Sequence, residues 1–510
     1  MTNRTSIRLR RAQLEDCRLI FEWRNLPEVV ARGSSQSAIA WEDHQQWFAR
    51  VHRNERHLLW LILEDENPVG QIRFDRLDEA SARVSIYLHP NFTGRGLGIL
   101  ALQTGSTAAF RSWPEVRQIE ALIRNDNQPS IRAFAKAGYE VSSASTDAEH
   151  TRMRRPRPSR VPHNRLTVDE RDVAAVATVV RSGHWTGGPQ VSALERACAD
   201  RIGVAHGVAL GSGFAALRLG LHALGIGPGD KVLIPAYSCV ALANSVLALG
   251  AQPWAVEVRD DLTIDPAACR NALGAAKPKA IIAVHTFGAQ AAIPALLELG
   301  VPVVEDCAHA FGKVGDGIQF GGIGTATILS FHATKLLGAG EGGLLLTREP
   351  ALAARVRESR DCADLPPTAI RMNDRLSELE AALALSQFSR LPEFIASRQR
   401  LAQRYSRLLA DEAGLCLPES CNRIWYRFAV SAIQCPPELL IERMSRNGVA
   451  VDRPWPEWRN ISDRFDQTPV ADAAYRNLIS LPIYPTLTDA EQDRVVEELR
   501  AAVRASEDGR

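Results

Sequence analysis

Apolar and polar positions divide the chain into two successive series of short strand-like runs separated by amphipathic stretches. In the first series, Leu58-Leu-Trp-Leu-Ile-Leu63 is apolar throughout and predicts a buried strand. Val69-Gly-Gln-Ile-Arg-Phe74 predicts its neighbour. Ala82-Arg-Val-Ser-Ile-Tyr-Leu88 carries the period-two pattern of a further strand. The pattern breaks at Arg152-Met-Arg-Arg-Pro-Arg-Pro-Ser-Arg-Val-Pro162. Closely spaced prolines and arginines cannot build a core. We therefore expect one domain over residues 1–155, a solvated basic linker over 156–162 and a second domain over 163–510.

The second series predicts a short strand pair at residues 204–213 and 231–235. Further strands are predicted at 279–284, 301–305 and 327–331. The amphipathic stretches between them suggest helices on both faces of a mostly parallel sheet. Leu376, Leu379, Leu383 and Gln387 are spaced by three and four, which predicts a helix running past Leu391 toward Tyr405. The larger part of this domain is expected to end near residue 390, with a smaller α+β part after it. No internal repeat or low-complexity tract is visible.

Composition removes several function classes. With 510 residues the chain exceeds one ordinary core. A formal net charge of +1 offers no bulk attraction to nucleic acid or an anionic membrane. The start lacks a signal-peptide core, and no apolar run approaches the ~20 residues that span a bilayer. The nine cysteines form no CxxC pair. They read as reduced, mostly buried thiols of a cytoplasmic protein.

The candidate chemistry begins with a lysine. Ser330-Phe-His-Ala-Thr-Lys335 follows a predicted strand and precedes Gly338-Ala-Gly-Glu-Gly-Gly343. An amine at a strand end beside a glycine loop suits covalent chemistry with a carbonyl. Val303-Val-Glu-Asp-Cys-Ala-His309 puts acids at the carboxyl end of another strand, where α/β sheets bind ligands. Asp306 suits either a helix N-cap or a partner for a protonated ring nitrogen.

Together these segments resemble the DegT/DnrJ/EryC1/StrS family of sugar aminotransferases across about residues 162–505. Collinear with them are Trp185-Thr-Gly-Gly-Pro189, Leu210-Gly-Ser-Gly-Phe-Ala-Ala-Leu217 and Pro235-Ala-Tyr-Ser-Cys239. Asn373-Asp-Arg-Leu-Ser377 and Leu481-Pro-Ile-Tyr-Pro485 with Leu487-Thr488 follow. The resemblance implies a type I fold dependent on pyridoxal 5'-phosphate (PLP), with Lys335 bonded to the cofactor and moving the proton of the transfer. It places Asp306 at the pyridine nitrogen and His309 by the ring hydroxyl. Ser212, Gly213, the amide of Phe214 and Ser330 hold the phosphate at a helix start. Asn373 would reach that phosphate from the second copy of a homodimer. Phe214 stands where the family usually has threonine, and Cys239 where it usually has an aromatic, which bears on cofactor affinity. Lys335 argues against the family's dehydratase branch. The reaction implied is transfer of an amine, usually from glutamate, to a keto group on a nucleotide-linked sugar.

In the first domain, His89-Pro-Asn-Phe-Thr-Gly-Arg-Gly-Leu-Gly98 follows a strand and opens a helix. Its glycines let backbone N–H groups approach a pyrophosphate, and Arg95 adds charge. With Asn125-Asp-Asn-Gln-Pro-Ser-Ile-Arg-Ala-Phe-Ala-Lys-Ala-Gly-Tyr139, this loop resembles the GNAT N-acetyltransferases over residues 5–155. Phe21-Glu-Trp-Arg-Asn-Leu-Pro27 and residues 44–47 are similar to the branch acetylating amino sugars in pseudaminic acid synthesis, and to ribosomal-protein acetyltransferases. The resemblance implies acetyl-CoA as cosubstrate, held by Leu88, Thr93, Gly94, Arg95, Gly96, Leu97, Gly98 and Asn127. Phe134 replaces a common tyrosine, leaving Tyr87, Ser130 or a water as the acid. Tyr139, Trp23 and Trp47 are read as core residues, and His44 and Glu42 as helix-surface residues.

One half would make an amine and the other consume one, so consecutive transamination and N-acetylation toward a surface-polysaccharide precursor is the expectation. Two rivals stand beside it. The first domain could acetylate protein amines. Alternatively, the protein could bind PLP as a regulator without catalysis, which in its DNA-binding form calls for a helix-turn-helix.

Overall fold

The computed structural model describes residues 7–32, 37–142, 149–314, 317–361, 372–419, 423–458 and 468–507. Cys362 and Cys421 lie outside the described residues. The chain divides into two compact units, one of residues 1–159 with 446–448, the other of 160–445 with 449–510.

In the first unit the apolar run at 58–63 is a strand buried on both faces. Leu58, Trp60 and Ile62 enter one core cluster, while Leu59, Leu61 and Leu63 enter another, because successive side chains point to opposite faces. The strands are β1 (Arg8–Arg11), β2 (His57–Glu64), β3 (Asn67–Arg76), β4 (Ser81–Leu88), β5 (Gln118–Arg124), β6 (Glu140–Val141) and β7 (His150–Pro156). Their order is β1-β2-β3-β4-β5-β7-β6. Every neighbouring pair is antiparallel except β4 with β5. Helices Asp16–Arg24 and Trp41–Arg53 bury Ile20, Trp23, Phe48 and Val51 against one face. Helices Leu97–Ser112 and Gln128–Lys136 bury Leu97, Ala101, Leu102 and Phe134 against the other. A Cβ at Gly105 would stand 2.9 Å from Ile72 Cδ1, so glycine sets how closely that helix lies on the sheet.

The main sheet of the second unit comprises β8 (His206–Leu210), β9 (Lys231–Pro235), β10 (Gln252–Val256), β11 (Ala280–Val284), β12 (Val303–Asp306), β15 (Ala326–Ser330) and β16 (Gly343–Thr347). A separate hairpin is made by β13 (Gly312–Val314) and β14 (Ile318–Phe320). The sheet order is β10-β9-β11-β12-β15-β16-β8. All pairs from β10 to β15 are parallel, and β16 runs antiparallel to both its neighbours. Val232, Ile234, Ile282 and Val304 pack on one side, and Leu233, Ile281, Ala283 and Val303 on the other. The mixed α/β class and the mostly parallel, doubly covered sheet are as expected.

A smaller antiparallel sheet, β17 (Leu415–Cys416), β18 (Phe428–Ala432) and β19 (Leu478–Leu481), has its own core. Tyr405, Leu440, Met444, Val495 and Leu499 from three helices pack there. Among the described residues no helix is long and apolar enough to cross a membrane.

Three local expectations are corrected. Residues 204–213 and 231–235 do form strands, but β8 and β9 are not paired. β8 lies at the sheet edge beside β16, and β9 lies between β10 and β11. Both runs are apolar on both faces, so neither carries a pattern that specifies its partner. The long helix after Leu376 is two helices, Glu378–Ser389 and Leu391–Leu408. Pro392 has no N–H and its ring clashes with the preceding turn, which breaks the helix at Arg390. At the expected linker, Pro156 still belongs to β7. Val161 is 1% exposed and bridges Val449.

Candidate active site

Adjacent acids on β12 point to opposite faces and do different work. Glu305 is fully buried and accepts hydrogen bonds from the amides of Ile323 and Gly324. It also meets His285 Nε2 at 3.3 Å. His285 Nδ1 accepts the Ala291 N–H at 3.1 Å, so Nε2 carries the proton and donates to Glu305. Burial disfavours the Glu305 charge, but His285 and the two amides outweigh it and hold the carboxyl below its usual range. Cys307 Sγ completes a buried trio with His285 and Glu305, whose hydrogen bonds already account for the acid.

Asp306 ends the same strand and is 8% exposed. Its Oδ1 accepts the Ala308 N–H at 2.9 Å, a bond two residues along rather than a helix N-cap. Burial pushes its carboxyl up, opposed by that amide and by the charge of Lys335. Lys335 sits on a tight connection between β15 and β16, fastened by Lys335 N–H to His332 O and Ala339 N–H to Phe331 O, both at 2.8 Å. Its Nζ lies 5.1 Å from the ring centroid of Tyr426. Among the described residues no acceptor hydrogen-bonds that Nζ.

Tyr426 in turn stacks on His309, with centroids 4.3 Å apart and planes 10° from parallel. His309 also stacks near Trp455 and Phe287, and its Nδ1 accepts the Phe287 N–H at 3.3 Å. Burial and the positive charge of Lys335 push the His309 imidazole well below its ordinary value, so it is neutral. Burial opposes ionisation of the Tyr426 phenol. The charges of Lys335 and Arg427 and a bond with Thr334 outweigh burial and bring it down to about 8. Tyr426, Trp455 and Phe287 were not singled out from the sequence. The dense run Ile424-Trp-Tyr-Arg-Phe428 was the signal for the first of them.

Ser212 caps the helix Gly213–Ala223, its Oγ accepting the Ala215 N–H at 3.0 Å. The first amides of that helix, at Gly213 and Phe214, have no intrahelical acceptor. Gly213 abuts the end of β15, since a Cβ there would stand 2.8 Å from Ser330 Cβ. Ser212, Gly213 and Ser330 are thus brought together. Phe214 is 38% exposed, and Arg218 lies over its ring at 6.0 Å. Cys239 is half-buried and precedes the helix Val240–Leu247. The aromatic of its segment, Tyr237, is buried against Tyr475, Trp455 and Phe287 instead. Asn373 is exposed, and its side chain makes no hydrogen bond among the described residues. Its neighbour Asp374 is held by Arg218 at 2.6 Å and accepts the Gly211 N–H.

In the first unit, β4 pairs with β5 only over Ser81, Ala82 and Arg83, although β4 continues to Leu88. Beyond Arg83 no ladder joins the two parallel strands, so the backbone of β4 from Val84 to Leu88 has no strand partner on that side. The turn after Leu88 leads through Thr93, whose Oγ1 donates to Pro90 O, to Gly94 and Gly96. These glycines have φ of 78° and 83°, a left-handed conformation that a side chain would strain. Gly96 caps the helix Leu97–Ser112, so the amides of Leu97 and Gly98 open its positive end. Arg95 is paired with Glu64 at 2.7 Å. Asn127 Oδ1 caps the helix Gln128–Lys136 through the Ser130 N–H.

Of the acid candidates here, Tyr87 donates its hydroxyl to Ile20 O at 3.1 Å, and burial pushes that phenol up. The Ser130 hydroxyl makes no hydrogen bond among the described residues. Phe134 and Tyr139 are core residues in edge contact, with Tyr139 Oη 2.7 Å from Ser106 Oγ. Trp23 is buried, Trp47 half-buried and Glu42 exposed. His44 corrects the surface expectation. It is 2% exposed and its Nε2 lies 3.1 Å from Cys17 O, because position 44 falls on the inward face of its helix with Phe48. Burial depresses its imidazole.

Residues 166–500 match the model of the DegT/DnrJ/EryC1/StrS aminotransferase family, and residues 6–140 match that of the acetyltransferase (GNAT) domain. Among solved structures, the chain is similar to the aminotransferase TlmJ from Streptoalloteichus hindustanus at 29% identity and a TM-score of 0.65. That match covers 68% of this chain and all of TlmJ. DesV from S. venezuelae, solved in complex with a ketimine intermediate, matches at 29% identity and a TM-score of 0.61. It covers 68% of this chain and 99% of DesV. PseC from Helicobacter pylori, an aminotransferase involved in the biosynthesis of pseudoaminic acid, shares the fold at 22% identity and a TM-score of 0.63, over 68% of this chain and 100% of PseC. With an acetyltransferase domain at its N-terminus, the chain belongs to the DegT/DnrJ/EryC1/StrS aminotransferase family.

Proposed function

We propose that the chain is a bifunctional cytoplasmic enzyme of nucleotide-sugar metabolism. Its second unit aminates a keto-deoxy nucleotide sugar with an amine taken from glutamate, and its first unit acetylates the product from acetyl-CoA. The observation that carries the first step is the convergence of Lys335, Asp306 and the Ser212–Gly213–Ser330 cradle at the carboxyl ends of neighbouring strands. This donor set fits pyridoxal phosphate. A buried carboxylate with one oxygen bonded and one to spare suits a protonated ring nitrogen. Two hydroxyls beside a helix start suit a phosphate.

When bound, the cofactor supplies an electron sink for the carbanion at the amino-bearing carbon. Lys335 anchors it and then carries a proton between that carbon and the cofactor. Asp306 keeps the ring nitrogen charged, and burial of that pair excludes water from it. His309, neutral and fixed by Phe287 and Tyr426, lines one side without adding charge. Asn373 serves the site of a second copy, which makes the functional unit a homodimer. In the first unit, the open edge of β4 past Arg83 aligns the pantetheine arm, and the amides after Gly96 receive the pyrophosphate. The neutral amine of the sugar then attacks the thioester carbonyl directly, the C–S bond breaks, and coenzyme A leaves as the thiol with the proton that the amine sheds.

Incubating the purified chain with PLP, glutamate, candidate keto nucleotide sugars and acetyl-CoA tests this order. An N-acetylated amino sugar nucleotide should form only when all are present. Acetylation of peptides but not of amino sugars would overturn the second step. The N-terminal unit being a GNAT domain removes the ground for a DNA-binding regulator.

A further inference from the structure

Arg427 is a cation beside the lysine site with no acid to answer it. Its Nη1 has one contact, His163 Nε2 at 3.4 Å, and its Nε is buried without a partner. Among the described residues no carboxylate pairs with it. His163 is no substitute, since burial and the charge of Arg427 push its imidazole down to about 4, leaving a neutral acceptor. An uncompensated, part-buried guanidinium is costly unless a ligand completes it.

Its position says which ligand. The Arg427 Cζ lies 5.5 Å from the centroid of the Tyr426 ring, and Lys335 Nζ lies 5.1 Å from the same centroid. Its charge is felt at His309 and Tyr237 as well. The nearby Arg398 is otherwise engaged, with Nη1 donating to the carbonyls of Trp425, Tyr426 and Ile483. Asp306 faces the cofactor and Lys335 anchors it in the function proposed above. One positive charge is then left over beside the Tyr426 ring that Lys335 also faces. Nε of Arg427 is buried with its hydrogen-bonding capacity unmet, and Nη2 beside it makes no hydrogen bond among the described residues, so this side of the planar fork lacks the two acceptor oxygens that a carboxylate supplies. Resting on the aminotransferase assignment, we infer that Arg427 binds a carboxylate of the amino donor and selects amino acids over simple amines.

The test uses glutarate, a dicarboxylate with no amine, titrated calorimetrically into the full chain and into R427Q and R427K. R427Q should weaken glutarate binding about tenfold or more, the worth of a charge-assisted bidentate contact, and R427K should restore part of it. The melting temperature of the ligand-free protein should not fall in either variant, since R427Q removes an uncompensated charge, and the cofactor's visible absorbance should stay as in wild type. Conversion of that absorbance by glutamate should need correspondingly higher concentrations in R427Q, while conversion by 1-phenylethylamine should not change. Unchanged glutarate binding in R427Q overturns the inference, as does a loss confined to the sugar nucleotide. Glutarate binding that depends on Arg427 in a protein that never takes up the cofactor would keep the carboxylate site and sink the aminotransferase assignment.

Discussion

Glu305 and Asp306 are neighbours in sequence, yet the pleat of β12 sends one into a structural network and the other into the site. Replacing Glu305 by Gln leaves the amides of Ile323 and Gly324 and the His285 ring with a poorer partner. We expect a loss of about 2–3 kcal/mol in unfolding free energy, with the scale set by a broken buried charged hydrogen-bond network. Equilibrium denaturation measures it, while cofactor absorbance should persist. Asp306→Asn should do the reverse. It should cut the first half-reaction by about two to three orders of magnitude, the scale of losing one preorganised electrostatic partner, with little change in stability. Single-turnover kinetics with glutamate separates the two. At this scale the site was partly legible. Lys335, Asp306 and the phosphate turn stood out because each needs a particular residue type at a strand or helix end. Tyr426, Trp455 and Phe287 did not, because aromatic residues fill cores far more often than they line sites. His44 was misplaced because a short amphipathic helix with aromatics on several sides does not declare its inward face.

At the scale of elements, the helix Gly213–Ala223 touches the end of β15, and the proposed role of its first amides at a phosphate depends on that contact. Gly213→Ala drives a methyl to within 2.8 Å of Ser330 Cβ. The expected outcome is weaker PLP affinity, by about tenfold, seen in absorbance titration, for each 1.4 kcal/mol of strain or lost contact. His163 ties the segment after β7 to β19 through Ser480 Oγ at 3.0 Å. Its imidazole is depressed from 6.5 to about 4 in the fold. The unfolded chain therefore binds the extra proton first. Stability from this group is complete above pH ~6.5 and is lost as pH falls toward ~4. Its total is about 3 kcal/mol. His163→Gln should flatten the melting temperature of the second unit across that window, and an unchanged slope would count against it. Strand existence was readable from apolar runs. Partnership was not, since β8 and β9 look alike and sit at different places in the sheet. The helix break at Arg390 was written in Pro392 but hidden by leucine spacing that continued on both sides.

For the whole molecule, two units each carry a core of their own. The chain order of the domains is the reverse of the proposed reaction order, which a diffusing intermediate tolerates. Residues 160–510 expressed alone should therefore keep the lysine chemistry, and Lys335→Ala in the full chain should leave acetyl transfer to a supplied amino sugar intact. The chemistry proposed for the second unit depends on Lys335 holding pyridoxal phosphate and on an amino acid charging it. The most direct measurement is the visible absorbance of the full chain with the cofactor, before and after glutamate, beside Lys335→Ala. Wild type should gain a visible band that glutamate bleaches, and the variant should fail to form it. A wild type with no such band, or a band that glutamate leaves untouched, would mean that Lys335 does not carry out this chemistry.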